Sequence, residues 1–426
     1  MCVAQCSLGL AGGPAQTPRA GLEDRVVIVG AGIGGLATAL ALRKVGIPCT
    51  VLERADSVRS GGSAIALQTN AWKALDLIGI GDEVREGHPA LTKMEIVDQD
   101  GNLLTSFGFE GLAGGPHEFR GVSRQNLAER LAQLVGDDVV FGVAVSGVDV
   151  TSPDDPCVLL DDGSRVRCRA VVGADGVNSA VGRALGVSGV NYAGYSAFRG
   201  MSEFPSDADV PLEGLTVRQV WGAGIRAGMY PLGDGRMYWF TCFNAPDEVV
   251  RLPPEEMKRA ALASVEGFGA GVREAIEATP ADAITRNRCG DRWPVPGAAV
   301  ASGAVTLVGD ALHPQTPNLG QGGCTALEGA VVLAGCLADA GPWERVSQAD
   351  VAAAFRAYER RQTKRIIKVA AKASAMGRAL QIPFPPVLLV RNLVAKELFD
   401  PTNFLKHAVF EHPPLVQREV AQRAST

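Results

Sequence analysis

Short, uninterrupted apolar runs alternate with longer helix-periodic stretches through the first half of the chain. Arg25-Val26-Val27-Ile28-Val29 and Cys49 to Leu52 have the pattern of strands buried on both faces. Between them, Ala37 to Val45 reads as a helix closed by Gly46, and Asn70 to Ile78 predicts another. Met94 to Phe109 holds two alternating runs joined at Asp100-Gly101, a hairpin signal, and this pair is expected in a separate sheet. Ser123 to Val135 predicts a helix; Val139 to Val150 and Val166 to Val172 predict strands, with a turn at Pro153 to Asp155 between them. Ala304 to Val308 is a further buried strand.

From about Val190 to Arg288 the pattern changes. Leu215 to Trp221, Ile225 to Tyr230 and Arg236 to Phe243 alternate or run apolar between glycine turns, as in an antiparallel sheet. Their rings, with Phe198, form a wall: Trp221, Tyr230, Tyr238, Trp239, Phe240 and Phe243. About four of the seven are expected in the core, the rest facing an apolar pocket. Gln348 to Leu380 predicts a long helix, broken by Pro383-Phe384-Pro385-Pro386. Its basic residues Arg360, Arg361, Lys364, Arg365 and Lys368 read as a solvated face. Val387 to Leu398 and Phe404 to Phe410 could lie on a membrane surface; a cap over the first domain is the expectation.

Chemistry enters at three glycine-rich turns. The strand ending at Val29 runs into Gly30-Ala31-Gly32-Ile33-Gly34-Gly35, and the next strand ends in Glu53, 18 residues after Gly35. Strand, glycine turn, helix, strand and acid follow the order of a dinucleotide site. Glycines let a pyrophosphate approach N–H groups at a helix start, and the acid can bind ribose hydroxyls. The second turn, Gly309-Asp310-Ala311-Leu312-His313-Pro314, leads through Pro317 to Gly320-Gln321-Gly322-Gly323 at the start of an apolar helix reaching Leu337. A carboxylate there can accept from a sugar-like hydroxyl chain, while the helix start offers N–H groups to an electron-rich ring edge, which makes the nucleotide a flavin. The third, Gly173-Ala174-Asp175-Gly176, repeats the theme of strand, small turn and helix.

These segments resemble the pyrophosphate, GD and DG motifs of the class A flavoprotein monooxygenases, the p-hydroxybenzoate-hydroxylase-like group. The stretch from Gly309 to Leu337 is similar to plant and algal relatives of zeaxanthin epoxidase. The resemblance implies an α/β fold: a Rossmann-like FAD-binding domain, an inserted mostly antiparallel β substrate domain and a C-terminal helical region. The expected division is a flexible tail over 1–23, an FAD domain from 24–88, 120–188 and 289–340, a substrate domain from 89–119 and 189–288, and helices over 341–426. It also implies that Gly30, Gly32, Gly34 and Gly35 meet the pyrophosphate and Glu53 the adenosine ribose. Arg54 and Arg124 would face the phosphates, Asp310 the ribityl chain, and Gly320, Gly322 and Gly323 the flavin edge. Asp175 belongs to the motif linked to FAD and pyridine nucleotide. Pro314 would lie beside the ring system, and Arg199 near substrate and flavin. Cys324 and Glu328-Gly329 depart from the commoner pattern, and Gly329 weakens a helix position by about 1 kcal/mol relative to Ala.

The implied activity is a monooxygenase: NAD(P)H reduces FAD, and O2 gives a flavin C4a-hydroperoxide that passes one oxygen to an apolar aromatic or isoprenoid-type small molecule. A flavin-dependent isoprenoid reductase and a non-catalytic FAD-binding interaction protein are the alternatives; a halogenase lacks its W-x-W-x-I-P signature, and no G-x-S-x-G elbow supports hydrolysis. With a net charge of −5, a nucleic-acid partner is not expected. Nine cysteines without a C-x-x-C pair read as thiols of a reducing compartment, and five histidines without ligand spacing argue against a metal. Val26 to Leu42 is too short and glycine-rich for a transmembrane span. The first 22 residues lack a secretory pattern and leave cytoplasm or chloroplast open.

Overall fold

The computed structural model describes residues 21–58, 64–152, 155–294 and 300–416. The expectations on residues 1–20, including Cys2 and Cys6, and part of the turn at 153–155 lie outside them. The chain opens with β1 (Val26–Val29), α1 (Ile33–Lys44) and β2 (Cys49–Leu52), followed by β3 (Ala64–Gln68), α2 (Thr69–Ile78) and α3 (Gly81–Arg85). The hairpin is β4 (Lys93–Asp98) and β5 (Leu103–Gly108), closing at Gly101 with φ 88°, a left-handed value that suits glycine. β6 (Phe119–Ser123) runs into α4 (Arg124–Val135), where Ser123 caps the helix by accepting from Asn126 N–H at 3.3 Å.

Both strand runs that follow are broken. Val139 to Val150 contains β7 (Val139–Val140) and β8 (Val145–Asp149), with Gly142 at φ 74° between them. After β9 (Cys157–Leu160), Val166 to Val172 divides into β10 (Arg165–Arg167) and β11 (Ala170–Gly173). The reason is pairing: Cys168 N–H donates to Pro156 O, whereas Arg169 N–H donates to Arg25 O, so neighbouring residues serve different sheets. Apolar periodicity carries no record of such a switch. The chain continues through α5 (Ala180–Ala184), β12 (Asn191–Glu203), β13 (Thr216–Trp221), β14 (Ile225–Gly233) and β15 (Arg236–Asn244). Next come α6 (Pro254–Ser264), α7 (Val272–Glu277), β16 (Thr285–Asp291), β17 (Val305–Leu307) and α8 (Gly322–Ala340). Last are α9 (Gln348–Leu380), α10 (Pro385–Glu397) and α11 (Pro401–Leu405).

Strands β17-β11-β1-β2-β7 form a parallel five-stranded sheet. β1 connects through α1 to β2 on one side, while β11 and β17 lie on the other. The strand order therefore reverses beside β1, which opens a crevice at the carboxyl ends of β1 and β11. α8 packs against α1, α2 and α9, and Cys324 to Ala338 are buried without exception. By length and composition α8 could cross a membrane, but its apolarity on all sides is that of a core helix.

The larger sheet has the order β16-β12-β15-β14-β13-β4-β5. Its pairs are antiparallel except β13 with β4, which run parallel in register Val217↔Met94. Alternation along β14 and β15 sends Met229, Met237 and Trp239 to a core under α6 and α7. Tyr230, Tyr238 and Phe240 face the opposite way.

α9 starts with a capping box between Ser347 and Asp350. Its close approach to α8 explains Gly329, where an added Cβ would meet Tyr358 Oη at 3.3 Å and Gln362 Nε2 at 3.4 Å. Arg360, Arg361, Lys364 and Lys368 are exposed as expected, but Arg365 pairs with the buried Glu328 at 3.0 Å. The expected cap over the first domain needs correction for α10. It lies on β5 of the larger sheet, where Arg391 donates to Gly222 O at 3.0 Å and stacks over Trp221. Leu405, His407 and Ala408, in contrast, are buried.

Candidate active site

The four glycines of the first turn divide their tasks. Gly30 has φ 105°, and a Cβ there would stand 2.7 Å from Ala174 O. A Cβ on Gly35 would lie 2.0 Å from Gly30 O, so this glycine lets α1 close on the strand it follows. Gly32 meets nothing within 4 Å; it and Gly34 line a cavity of 460 Å³. α1 has no side-chain cap and no acid in its first turn, which leaves its first N–H groups as donors toward that cavity. Glu53 braces the turn: Oε2 accepts from Ala31 N–H at 2.8 Å and Oε1 from Ala55 N–H at 3.0 Å. Arg54 is exposed and does not line the cavity.

The GD segment forms the opposite wall. Asp310, Gly320, Gly322 and Gly323 line the cavity together with Arg124 and Arg199. Gly322 has open space where a Cβ would stand, and α8 likewise lacks a side-chain cap, so a second uncapped helix start meets the first across the cavity. Asp310 turns its carboxylate into the cavity, where its side chain is exposed. The protein enclosing the cavity pushes its pKa up by desolvation, against the pull of the Arg124, Arg199 and Arg292 guanidiniums. Arg199 is therefore a cavity residue, not an outer-surface one.

Two other candidates sit differently. The Asp175 carboxylate accepts from Ser179 Oγ and from the N–H groups of Ala180 and Val181, which commits it to the start of α5. Only its neighbours Ala174 and Gly176 reach the cavity. Pro314 does not line the cavity; its carbonyl accepts from Arg292 N–H at 3.0 Å, and Gln315 to Leu319 form the wall. Cys324 is an inert packing group: its thiol points at Ala66 O, and burial pushes its pKa to about 12.

Some residues of the site carried no usable signal in the sequence. Arg292 donates to Ser188 O, Val177 O and Ala311 O at 2.6, 3.1 and 2.9 Å, which staples the second and third glycine segments together. Beneath the cavity, Gln68 donates to Leu319 O and accepts from Gln321 Nε2, while Asn70 bonds Gln321 and Glu328. His407 approaches Gln68 Oε1 at 3.0 Å; burial and the nearby Lys372 and Arg365 charges hold it neutral, with its pKa pushed down to about 3. Phe404 and Leu405 bring the C-terminal region into the cavity wall.

Met94, Val217, Tyr230, Tyr238 and Phe240 make the far wall apolar and aromatic. The other four predicted rings are absent from this wall; Phe198 and Trp239 belong to the core under α6 and α7, with Phe243 packed against it. The arrangement offers two uncapped helix starts, a cavity-facing carboxylate, two arginines and a ring-lined chamber. These features suit a long anionic cofactor with an aromatic end.

The profile of the FAD binding domain family matches residues 23–348. The chain belongs to the class A flavoprotein monooxygenases. It is 36% identical over 317 residues to an aurachin C monooxygenase/isomerase of Stigmatella aurantiaca, covering 73% of this chain and 80% of that protein. It is 32% identical to a chloroplastic zeaxanthin epoxidase of Nicotiana plumbaginifolia, covering 80% of this chain and 53% of that longer protein. The structure of Klebsiella pneumoniae HpxO complexed with FAD and uric acid superimposes with a TM-score of 0.78 at 27% identity, covering 90% and 96% of the two chains. Like other class A monooxygenases, the protein is an FAD-dependent oxidoreductase. The reading as a non-catalytic FAD-binding protein is set aside.

Proposed function

We propose that the protein consumes NAD(P)H and inserts one oxygen atom from O2 into an aromatic or isoprenoid-type substrate. The observation that carries this reading is the wall of Tyr230, Tyr238 and Phe240, which shares one cavity with Asp310 and the start of α8. Bound FAD supplies electron transfer from NAD(P)H to O2 and the activation of oxygen. The start of α1 at Gly32 and Gly34 holds the pyrophosphate, with Arg124 adding positive charge. Glu53 accepts from the adenosine ribose with lone pairs left by Ala31 and Ala55. Asp310 accepts from a ribityl hydroxyl, and the N–H groups at Gly322 and Gly323 face the electron-rich ring edge. Segments 24–88, 120–188 and 289–340 form the FAD unit in this reading, and 89–119 with 189–288 the substrate unit. The rings exclude water and orient an apolar substrate, while Arg199 holds its electron-rich atom or stabilises charge developing beside it.

Relatives named for urate and for zeaxanthin support oxygen insertion but point to unlike substrates, so the reading of the substrate class rests on the aromatic cavity wall. The test is stopped-flow NADPH oxidation by the purified holoprotein against phenols, carotenoids and purines, under labelled O2. One labelled oxygen in the product of a phenol or carotenoid supports the proposal. Product formed without oxygen would overturn it in favour of a reductase.

A further inference from the structure

The outer face of α10 is unlike the rest of the surface. Among the described residues, seven of the thirteen exposed large apolar side chains fall between 382 and 398. Leu389, Val390, Leu393, Val394 and Leu398 recur at steps of four, so they share one side of the helix; Leu389 and Leu398 are each 74% exposed. The opposite side is anchored, with Ala395 buried and Arg391 bonded to Gly222 O. Isolated exposed apolar residues need no explanation, but a contiguous face does.

Charge identifies the occupant. Residues 351–410 contain eleven Lys and Arg against three Asp and Glu, a net +8, whereas the remainder of this acidic chain carries −13. Glu359 is buried and bonded to Thr306, and Arg365 is paired with the buried Glu328, so the two offset and the positive excess of the segment remains. An apolar helix face within a positively charged region suits a surface that is anionic outside and hydrocarbon beneath. A soluble protein partner would have to match both features; a bilayer supplies them together. α10 also leads within a few residues to Phe404 and Leu405, which line the cavity.

We propose that α10 docks the enzyme on an anionic membrane surface, with Leu389, Leu393 and their neighbours inserted among the acyl chains and the exposed Arg378 and Lys396 beside them facing the headgroups. The test is co-sedimentation of the full-length holoprotein with vesicles of phosphatidylcholine, with and without about 30% phosphatidylglycerol. Binding should require the anionic lipid, weaken with salt, and fall at least about ten-fold in the double variant Leu389→Glu, Leu393→Glu. Both side chains are exposed, so unchanged flavin content and circular dichroism will show that the variant folds. Failure to bind either vesicle overturns the proposal. So does a concentration-dependent dimer that the double variant dissociates without any vesicle binding, which would make the face a contact between copies.

Discussion

Asp310→Asn separates a cofactor contact from a structural one, because the two roles move different observables in opposite senses. The substitution keeps shape and removes charge. A hydrogen bond from a ribityl hydroxyl contributes about 1.5–3 kcal/mol to a carboxylate and about 0.5–1.5 kcal/mol to the neutral amide that replaces it, so FAD affinity should fall by roughly five- to ten-fold. The apoprotein should behave otherwise. Its carboxyl is held above the usual carboxylate range by desolvation, which the three guanidiniums only partly offset. A raised folded-state pKa means that stability is fully present below the unfolded pKa and is lost as pH rises through the folded one. Because the side chain is exposed to the cavity, that cost in the wild-type apoprotein at neutral pH is small, and the apo variant should melt at the same temperature as wild type or slightly higher. Fluorescence titration of FAD into apoprotein gives the affinity, and thermal melts at pH 4 and 7 give the stability. Unchanged affinity together with a lower apo melting temperature would refute the assignment and make Asp310 a structural residue.

The glycine pair gives a matched test by chemical denaturation and FAD titration. Gly35→Ala should cost about 1–3 kcal/mol of fold stability, because its Cβ meets Gly30 O at 2.0 Å, whereas Gly32→Ala, at φ −76° in open space, should leave the apo fold intact and weaken FAD. Arg199→Ala should keep flavin content constant and raise hydrogen peroxide released per NAD(P)H once a turnover substrate is in hand; unchanged coupling would leave substrate orientation to shape alone. Arg365→Ala strands the buried Glu328 and should cost about 3–5 kcal/mol in urea unfolding at neutral pH, with a smaller loss at low pH where Glu328 is protonated. Cys324, its thiol pushed to about 12, should resist alkylation in the folded protein at pH 8 and react only after unfolding.

Local signals travelled well from sequence to structure, and long-range pairing did not. The long helix, the hairpin at Asp100-Gly101 and the buried runs of β1 and β2 follow from periodicity and turn chemistry at short range. Nothing local distinguishes Cys168 from Arg169, yet their N–H groups serve different sheets. The parallel pairing of β13 with β4 joins residues more than a hundred positions apart, and no pattern in either strand names its partner. The site shows the same divide. Gly32, Asp310 and Gly322 stand in motifs whose backbone geometry is local, and all three line the cavity. Arg292 stands in no motif and acts through carbonyl groups brought together only by the fold. Asp175 lies in a motif, but its carboxylate is committed to the start of α5. The aromatic wall divided as alternation demands: Tyr238 and Phe240 face the chamber, and Trp239 between them faces the core.

The order of strands in the parallel sheet has a consequence for how the protein comes off the ribosome. β1 is synthesised early and stands in the middle of the sheet, while its neighbour β11 follows some 140 residues later and β17 emerges only after residue 300. Until β11 arrives, β1 presents a bare hydrogen-bonding edge made of Val and Ile, the kind of edge that recruits other chains. The cavity also waits for its second half, since the start of α8 is translated after β17. FAD therefore cannot template the early steps and can capture only a nearly complete nascent chain. Slow, long-range pairing of this type exposes the growing polypeptide to aggregation, so yield in a cell should depend more on chaperone supply during synthesis than on flavin supply.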